Sequence, residues 1–163
     1  MQNPLNNTNS TANLQLIPMT ETMLPHILII ENQSYPVGWS IQLFKDCINK
    51  GYNCQVLMQD GIIIGYFIVQ IIIDEYHVLN ICVAPENRGM GLGKYQLEAI
   101  QKSAETNAIN RILLEVRASS KPARKLYMKF GFHIIGKRKN YYPAPGKNEQ
   151  NREDAFVMEL GIS

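Results

Sequence analysis

Three glycines separated by single residues, Gly89, Gly91 and Gly93, stand between an apolar run that ends at Val83 and a helical pattern that begins just beyond them. A turn of this kind constrains both of its neighbours. Glycine adopts backbone conformations closed to other residues, so several N–H groups can converge on one anion, and the following helix adds the positive end of its dipole. The stretch from Asn80 to Gly93 (Asn-Ile-Cys-Val-Ala-Pro-Glu-Asn-Arg-Gly-Met-Gly-Leu-Gly) therefore predicts a strand, a Pro-containing turn and a helix joined at a candidate phosphate site. No Lys-Ser or Lys-Thr pair follows, which excludes the nucleotide-binding P-loop. A purely structural turn is the alternative, because glycine also serves turns that hold no ligand.

Hydrophobic periodicity supplies the rest of the chain. Residues 14–17 form a candidate first strand, and residues 18–22 turn the chain into a helix over about 23–32. After a loop at 33–39, Ser40 suits a helix N-cap, Phe44, Cys47 and Ile48 give helical spacing, and Gly51 stands where a helix stops. Two apolar runs, 54–58 and 62–73, flank Asp60-Gly61, a strong hairpin signal, and a third run at 77–83 extends the meander. Beyond the glycines, Leu97, Ile100, Ala104 and Ala108 mark the buried stripe of a helix that ends near residues 107–110. Strand character at 112–116, reached through a helix-length connection, predicts a parallel crossover. Ala123, Leu126, Tyr127 and Phe130 give a short helix with Pro122 in its first turn and Gly131 at its end, and two closing strands follow at 132–139 and 155–160. The expected fold is a mixed, mostly antiparallel α/β sheet of about seven strands with about four helices.

At 163 residues the chain suits one domain over residues 14–163, preceded by an Asn- and Thr-rich tail at 1–13 with the composition of a flexible segment. A formal charge of +2 without a basic block gives no case for nucleic-acid binding. The longest apolar run, 62–73, is too short to span a bilayer, and the N-terminus has no secretory pattern, so neither a membrane nor export is expected. Cys47, Cys54 and Cys82 lack CxxC spacing and read as reduced thiols of the cytoplasm. With His26, His77 and His133 scattered, no metal site is predicted.

Arg88-x-x-Gly91-x-Gly93 after a strand resembles the acyl-CoA pyrophosphate loop of the Gcn5-related N-acetyltransferases (GNAT). Narrower elements sharpen the likeness: Leu114-Glu115-Val116-Arg117-Ala118-Ser119, Leu126-Tyr127-x-x-Phe130-Gly131-Phe132, Asn140-Tyr141-Tyr142-Pro143 and Arg152-Glu153-Asp154-Ala155. Together they look like the RimI-type ribosomal-protein-alanine N-acetyltransferases, from about Leu14 to the C-terminus. The resemblance implies an acetyl-CoA-dependent transfer of acetyl to the α-amino group of an N-terminal alanine of a small-subunit ribosomal protein. Two rivals follow from the same fold: an acetyltransferase acting on a lysine side chain or a small amine, and a non-catalytic acyl-CoA-binding sensor.

By that resemblance Glu115 is the general base and Tyr127 the general acid. Read from the residues alone, Glu115 shares a strand face with Leu113 and Arg117 and equally suits an ion pair, while Tyr127 sits in an apolar stripe and equally suits the core. The implied cofactor site runs along Ile81, Cys82 and Val83 and continues through Arg88, Gly89, Met90, Gly91, Leu92, Gly93 and Lys94. Ser120 stands where the family has asparagine. Tyr35, Trp39, Tyr141 and Tyr142 are the candidates for holding the peptide. Cys82 is not read as a nucleophile, since no base stands at a recognisable spacing from it.

Overall fold

The computed structural model describes residues 13–144 and 151–163. Along them run β1 (Leu14–Pro18), α1 (Leu24–Ser34), α2 (Ile41–Asn49), β2 (Asn53–Gln59), β3 (Ile62–Ile72), β4 (Glu75–Val83), α3 (Leu92–Thr106), β5 (Arg111–Arg117), α4 (Lys121–Phe130), β6 (His133–Pro143) and β7 (Arg152–Gly161). The seven strands form one sheet in the order β1-β2-β3-β4-β5-β7-β6, antiparallel everywhere except between β4 and β5. This is the mixed sheet with four α-helices that the hydrophobic pattern predicts. The predicted tail, apart from Asn13, and the middle of the loop between β6 and β7 lie outside the described residues.

Local chemistry explains most of the boundaries. Asp60 and Gly61 both have positive φ, 51° and 78°, the handedness that lets a two-residue turn follow the twist of β2 and β3. Ser40 caps α2 by accepting the Leu43 N–H on its Oγ at 3.3 Å, which satisfies a donor that the first turn leaves unpaired. Helix α1 starts after a 3-10 turn at Glu21–Met23 and runs on to Ser34, two residues past its predicted end. The predicted stripe of α3 holds for Leu97, Ile100 and Ala104, all buried, and fails at Ala108. The helix has ended at Thr106, Ala108 takes φ 54° and is exposed, and Ile109 enters the core in its place. Once the chain leaves the helix, helical periodicity no longer decides which side chain faces inward.

Both faces of the sheet are covered. Phe67, Val69, Tyr76 and Val78 pack with Leu97 and Ile100 of α3 and with Ile112, Leu114 and Met158. On the other face Val56, Tyr66 and Ile68 pack with Leu24 and Ile27 of α1 and Phe44 of α2. Consecutive residues of β3 thus enter different cores, which explains why this strand reads as an unbroken apolar run. Each such side chain contributes about 1.5–3 kcal/mol on burial.

The feature that positions the site is an interruption of the sheet. β4 and β5 pair only from Glu75 with Arg111 to Val78 with Leu114. Past that point β4 continues to Val83 beside β3 and β5 to Arg117 beside β7 without pairing to each other, and the two strands part. At the closed end Arg111 bridges Glu75, with Nε to Oε1 at 2.6 Å, and Glu159, with Nη1 to Oε2 at 3.3 Å. At the opening, the register against β3 passes from Asn80 to Val78, leaving Leu79 as a bulge that bends β4.

Behind the free part of β4, Gly65 of β3 pairs with Val83, and a Cβ added there would lie 2.7 Å from the Cys82 carbonyl oxygen. Since the obstacle is backbone, Gly65→Ala is expected to lower stability by about 1–3 kcal/mol. Urea unfolding followed by circular dichroism measures this, and an unchanged midpoint would show that β4 yields there without cost.

Candidate active site

The free edge of β4 and the glycine turn form one wall of a cavity of about 500 Å³. Ile81, Cys82 and Val83 line it from the strand, Arg88, Gly89, Gly91, Leu92, Gly93 and Lys94 from the turn and first turn of α3, and Ser120 and Tyr127 from α4 and its start. Gly89 and Gly91 both have φ +77°, which other residues rarely adopt. Tyr95 donates to the Gly91 carbonyl at 3.0 Å as the first bond of α3, so the N–H groups of Leu92, Gly93 and Lys94 lack an intrahelical acceptor. Gly93 lets α3 lie close to α4: a Cβ there would meet Leu126 Cδ2, the movable end of a side chain, at 2.9 Å. Arg88 Nε donates to the Val83 carbonyl at 3.2 Å, tying this cation to the end of β4, while the exposed Lys94 pairs with Glu98 at 3.7 Å. Met90 differs from its neighbours, being 64% exposed and absent from the cavity lining.

On the other side of the split is a second cavity, of about 350 Å³. Tyr35, Trp39, Glu115 and Tyr142 line it together with Leu79 and Asn80 of the bulge. Arg117 fixes the Tyr142 side, stacking on its ring at 4.5 Å and donating to the Pro143 carbonyl at 2.7 Å and to Glu153 at 3.1 Å. Burial pushes the Tyr142 phenol well above its ordinary value. Tyr141 is not in the lining: it is exposed, packs edge-on against Tyr142, and lies beneath Arg138.

The two cavities share Tyr35, Ile81, Ser120, Ala123 and Tyr127. Tyr127 is thus both a core side chain, edge-on to Phe132, and a wall of each cavity. Burial raises its phenol pKa strongly, so the hydroxyl holds its proton through neutral and alkaline pH. Tyr35 is anchored by its own hydroxyl, which donates to the Ile81 carbonyl at 3.0 Å. Glu115 is paired, but not with Arg117 as its strand face suggests; Arg138 of β6 takes it, with Nε to Oε1 at 3.0 Å. Arg117 is instead committed to Glu153. The Glu115 carboxylate in turn raises the Tyr141 phenol above the usual range. Cys82 is buried, and burial raises its thiol pKa, the opposite of what an activated nucleophile needs. Among the described residues no group of three or more His, Cys, Asp or Glu side chains is placed to hold a metal ion.

Several lining residues escape the sequence reading. Glu31 is 1% exposed and accepts from Trp39 N at 3.0 Å, from Asn80 Nδ2 at 3.1 and 3.3 Å, and from the Tyr66 hydroxyl. One signal pointed to it: Leu24, Ile27 and Glu31 follow helical spacing, so a carboxylate occupies the buried stripe of α1. Gln96, fully buried on α3, donates to the Cys82 carbonyl at 3.3 Å and braces β4 from behind the glycine turn.

The arrangement offers backbone donors for an anion on one side of the split, a carboxylate on the other, and a protonated phenol where the two meet. Its comparisons with known proteins agree. The model of the acetyltransferase (GNAT) family matches residues 23–132. The ribosomal protein bS18-alanine N-acetyltransferase of Escherichia coli is 35% identical over 142 residues, covering 87% of this chain and 93% of that protein. That of Haemophilus influenzae is 37% identical over 129 residues, covering 79% and 86%. The crystal structure of the E. coli ribosomal-protein-alanine N-acetyltransferase superposes with a TM-score of 0.83 at 33% identity, covering 93% of this chain and 95% of that one. An Ard1 structure from Thermoplasma volcanium shares the fold, with a TM-score of 0.79 at 19% identity. The chain is an acyltransferase of the acetyltransferase (GNAT) family, in the branch of the ribosomal-protein-alanine N-acetyltransferases.

Proposed function

We propose that the protein transfers the acetyl group of acetyl-CoA to the α-amino group of an N-terminal alanine on a small-subunit ribosomal protein, with residues 14–163 as its catalytic unit. The observation that carries this reading is the meeting of the two cavities at Tyr127. The pyrophosphate of the coenzyme lies on the N–H groups from Gly89 to Lys94, Met90 contributing backbone only, and Arg88 and Lys94 add charge. Its amide-rich arm runs along Ile81, Cys82 and Val83, where strand pairing is left unused, and a backbone N–H there polarises the thioester carbonyl. Ser120, with a shorter side chain than the family's asparagine, closes this side. The peptide's first residues occupy the second cavity between Tyr35, Trp39 and Tyr142, with Tyr141 at its outer margin. A ribosomal-protein target and three free cysteines support a cytoplasmic setting.

The chemistry follows from proton positions. An N-terminal ammonium has a pKa of about 7.7–8.0 and cannot attack until it loses a proton. Glu115 takes that proton, directly or through water. The amine nitrogen bonds the thioester carbon and sheds its second proton to water as a released product, the tetrahedral intermediate collapses with breakage of the C–S bond, and Tyr127 protonates the departing thiolate. The products are N-acetyl peptide and CoA. The proton held by Glu115 returns to Tyr127 through solvent, and no acyl-enzyme forms.

Three expectations test the reading. Thiol release from acetyl-CoA is expected with an Ala-initiated peptide and absent when its N-terminus is blocked and only a lysine is free; the reverse pattern would reassign the acceptor. Glu115→Gln is expected to lower kcat by about 10²–10⁴ while calorimetry still records acetyl-CoA binding, and Tyr127→Phe to slow turnover by a similar factor. Full activity in both variants would remove their roles. Because burial raises the Tyr127 phenol above its ordinary value of about 10, the acid form persists as pH rises. The initial rate is therefore expected to climb as the amine deprotonates and to show no alkaline fall below about pH 10 in a folded sample.

A further inference from the structure

The buried carboxylate of Glu31 does more than join α1 to the sheet, because it fixes which way the Asn80 amide points. Asn80 Nδ2 lies 3.3 Å from Glu31 Oε1 and 3.1 Å from Oε2, and those oxygens also receive the Trp39 N–H and the Tyr66 hydroxyl. Every contact reaches the carboxylate from a donor, so the NH2 group of Asn80 must be the end that faces it. The planar amide then carries its Oδ1 on the other side of the same carbon. Among the described residues no hydrogen bond to that oxygen is made, and the buried side-chain polar atoms without a partner are Gln96 Oε1 and Arg124 Nε. Asn80 Oδ1 is therefore open, and the space it can open to is the second cavity, which Asn80 lines together with Glu31, Glu115 and Tyr127. The residue adjoins the bulge at Leu79, where β4 leaves β5.

An acceptor held by a buried partner, in the cavity that Glu115 also lines, suits one kind of ligand atom. We infer that Asn80 Oδ1 accepts an N–H of the incoming amine and so directs its lone pair toward the thioester, with Glu31 as the positioning residue that keeps the oxygen facing the substrate. This rests on the acyl-transfer reading above and extends it: the acceptor must carry a second N–H beyond the proton given to Glu115, as a primary amine does. The carboxylate has no other way to act on the amine, being 1% exposed and already engaged by three donor groups.

The test is steady-state kinetics with acetyl-CoA and an Ala-initiated peptide on the full chain, for the unsubstituted protein, Asn80→Ala, Glu31→Gln and the double variant, with acetyl-CoA affinity measured by calorimetry. Asn80→Ala removes the acceptor. Glu31→Gln places an NH2 against the NH2 of Asn80 and disturbs its orientation. Each single change is expected to lower kcat/KM for the peptide by roughly tenfold or more, the worth of one well-placed hydrogen bond. Acetyl-CoA affinity should stay within about twofold, and the double variant should be no worse than the worse single one. A purely structural role for Glu31 would instead multiply the two losses. An Asn80→Ala protein with unchanged kcat/KM overturns the inference while leaving the acyl-transfer reading intact. Absence of turnover by the unsubstituted protein overturns both. Should Glu31→Gln not fold, the Asn80→Ala comparison decides the matter alone.

Discussion

The structure depends on one failure of pairing. Parallel strands β4 and β5 are held together for four residues each and then released, although both chains remain extended for several residues more. Backbone groups freed in a sheet interior are costly unless something else satisfies them. Here the release is stabilised from outside the gap. Arg111 clamps the closed end through Glu75 and Glu159, the Leu79 bulge bends β4 away, and the Tyr35 hydroxyl and Arg88 take the carbonyls of Ile81 and Val83. On the proposed function, the amide-rich arm of the coenzyme would complete a sheet that the chain leaves incomplete.

The same opening explains why so many polar groups sit deep in a domain of ordinary apolar content. Among the described residues Glu31, Asn80, Gln96 and Arg117 are the buried polar and charged ones, and all four line one of the two cavities at the split. Each is tied to backbone or to another polar side chain: Glu31 to Trp39, Asn80 to Glu31, Gln96 to Cys82, Arg117 to Glu153 and Pro143. Pairing of this kind is what makes buried polar groups tolerable. It also carries the position of the sheet outward to the walls, since the Trp39 segment and the Tyr142 segment are each held by one of these groups.

How far the sequence reveals this depends on the range of the cause. The hairpin at Asp60-Gly61, the Ser40 cap, the glycine turn and the order of the elements are set by residues a few positions apart, and they are legible. So is the grouping of Glu115 and Tyr127, through the family resemblance. What is not legible is long-range choice among partners. Nothing within β5 tells Glu115 to pair with Arg138 rather than Arg117, because that is settled by where β6 falls beside β7. The roles of Asn80 and Gln96 are hidden likewise, since their partners lie 49 and 14 positions away. Met90 and Tyr141 show the converse: motif position marks them, yet the fold turns their side chains out of both cavities.

The two groups assigned to proton transfer differ in surroundings in the way their tasks require. Glu115 projects from a strand end into a cavity that solvent reaches, with Arg138 beside it, so its charged form has a counter-ion and a path for exchanging protons with water. Tyr127 comes from a helix face already committed to the core, and burial removes the solvation that its phenolate would need. Under the proposed roles, one fold thereby keeps an acceptor on the amine side and a donor on the sulfur side. The separation also sets direction. On the proposed roles, a proton taken from the amine and a proton given to the thiolate sit at opposite ends of the bond being exchanged, which corresponds to attack from the peptide cavity and departure into the coenzyme cavity, with the acetyl carbon where Tyr127 lines both.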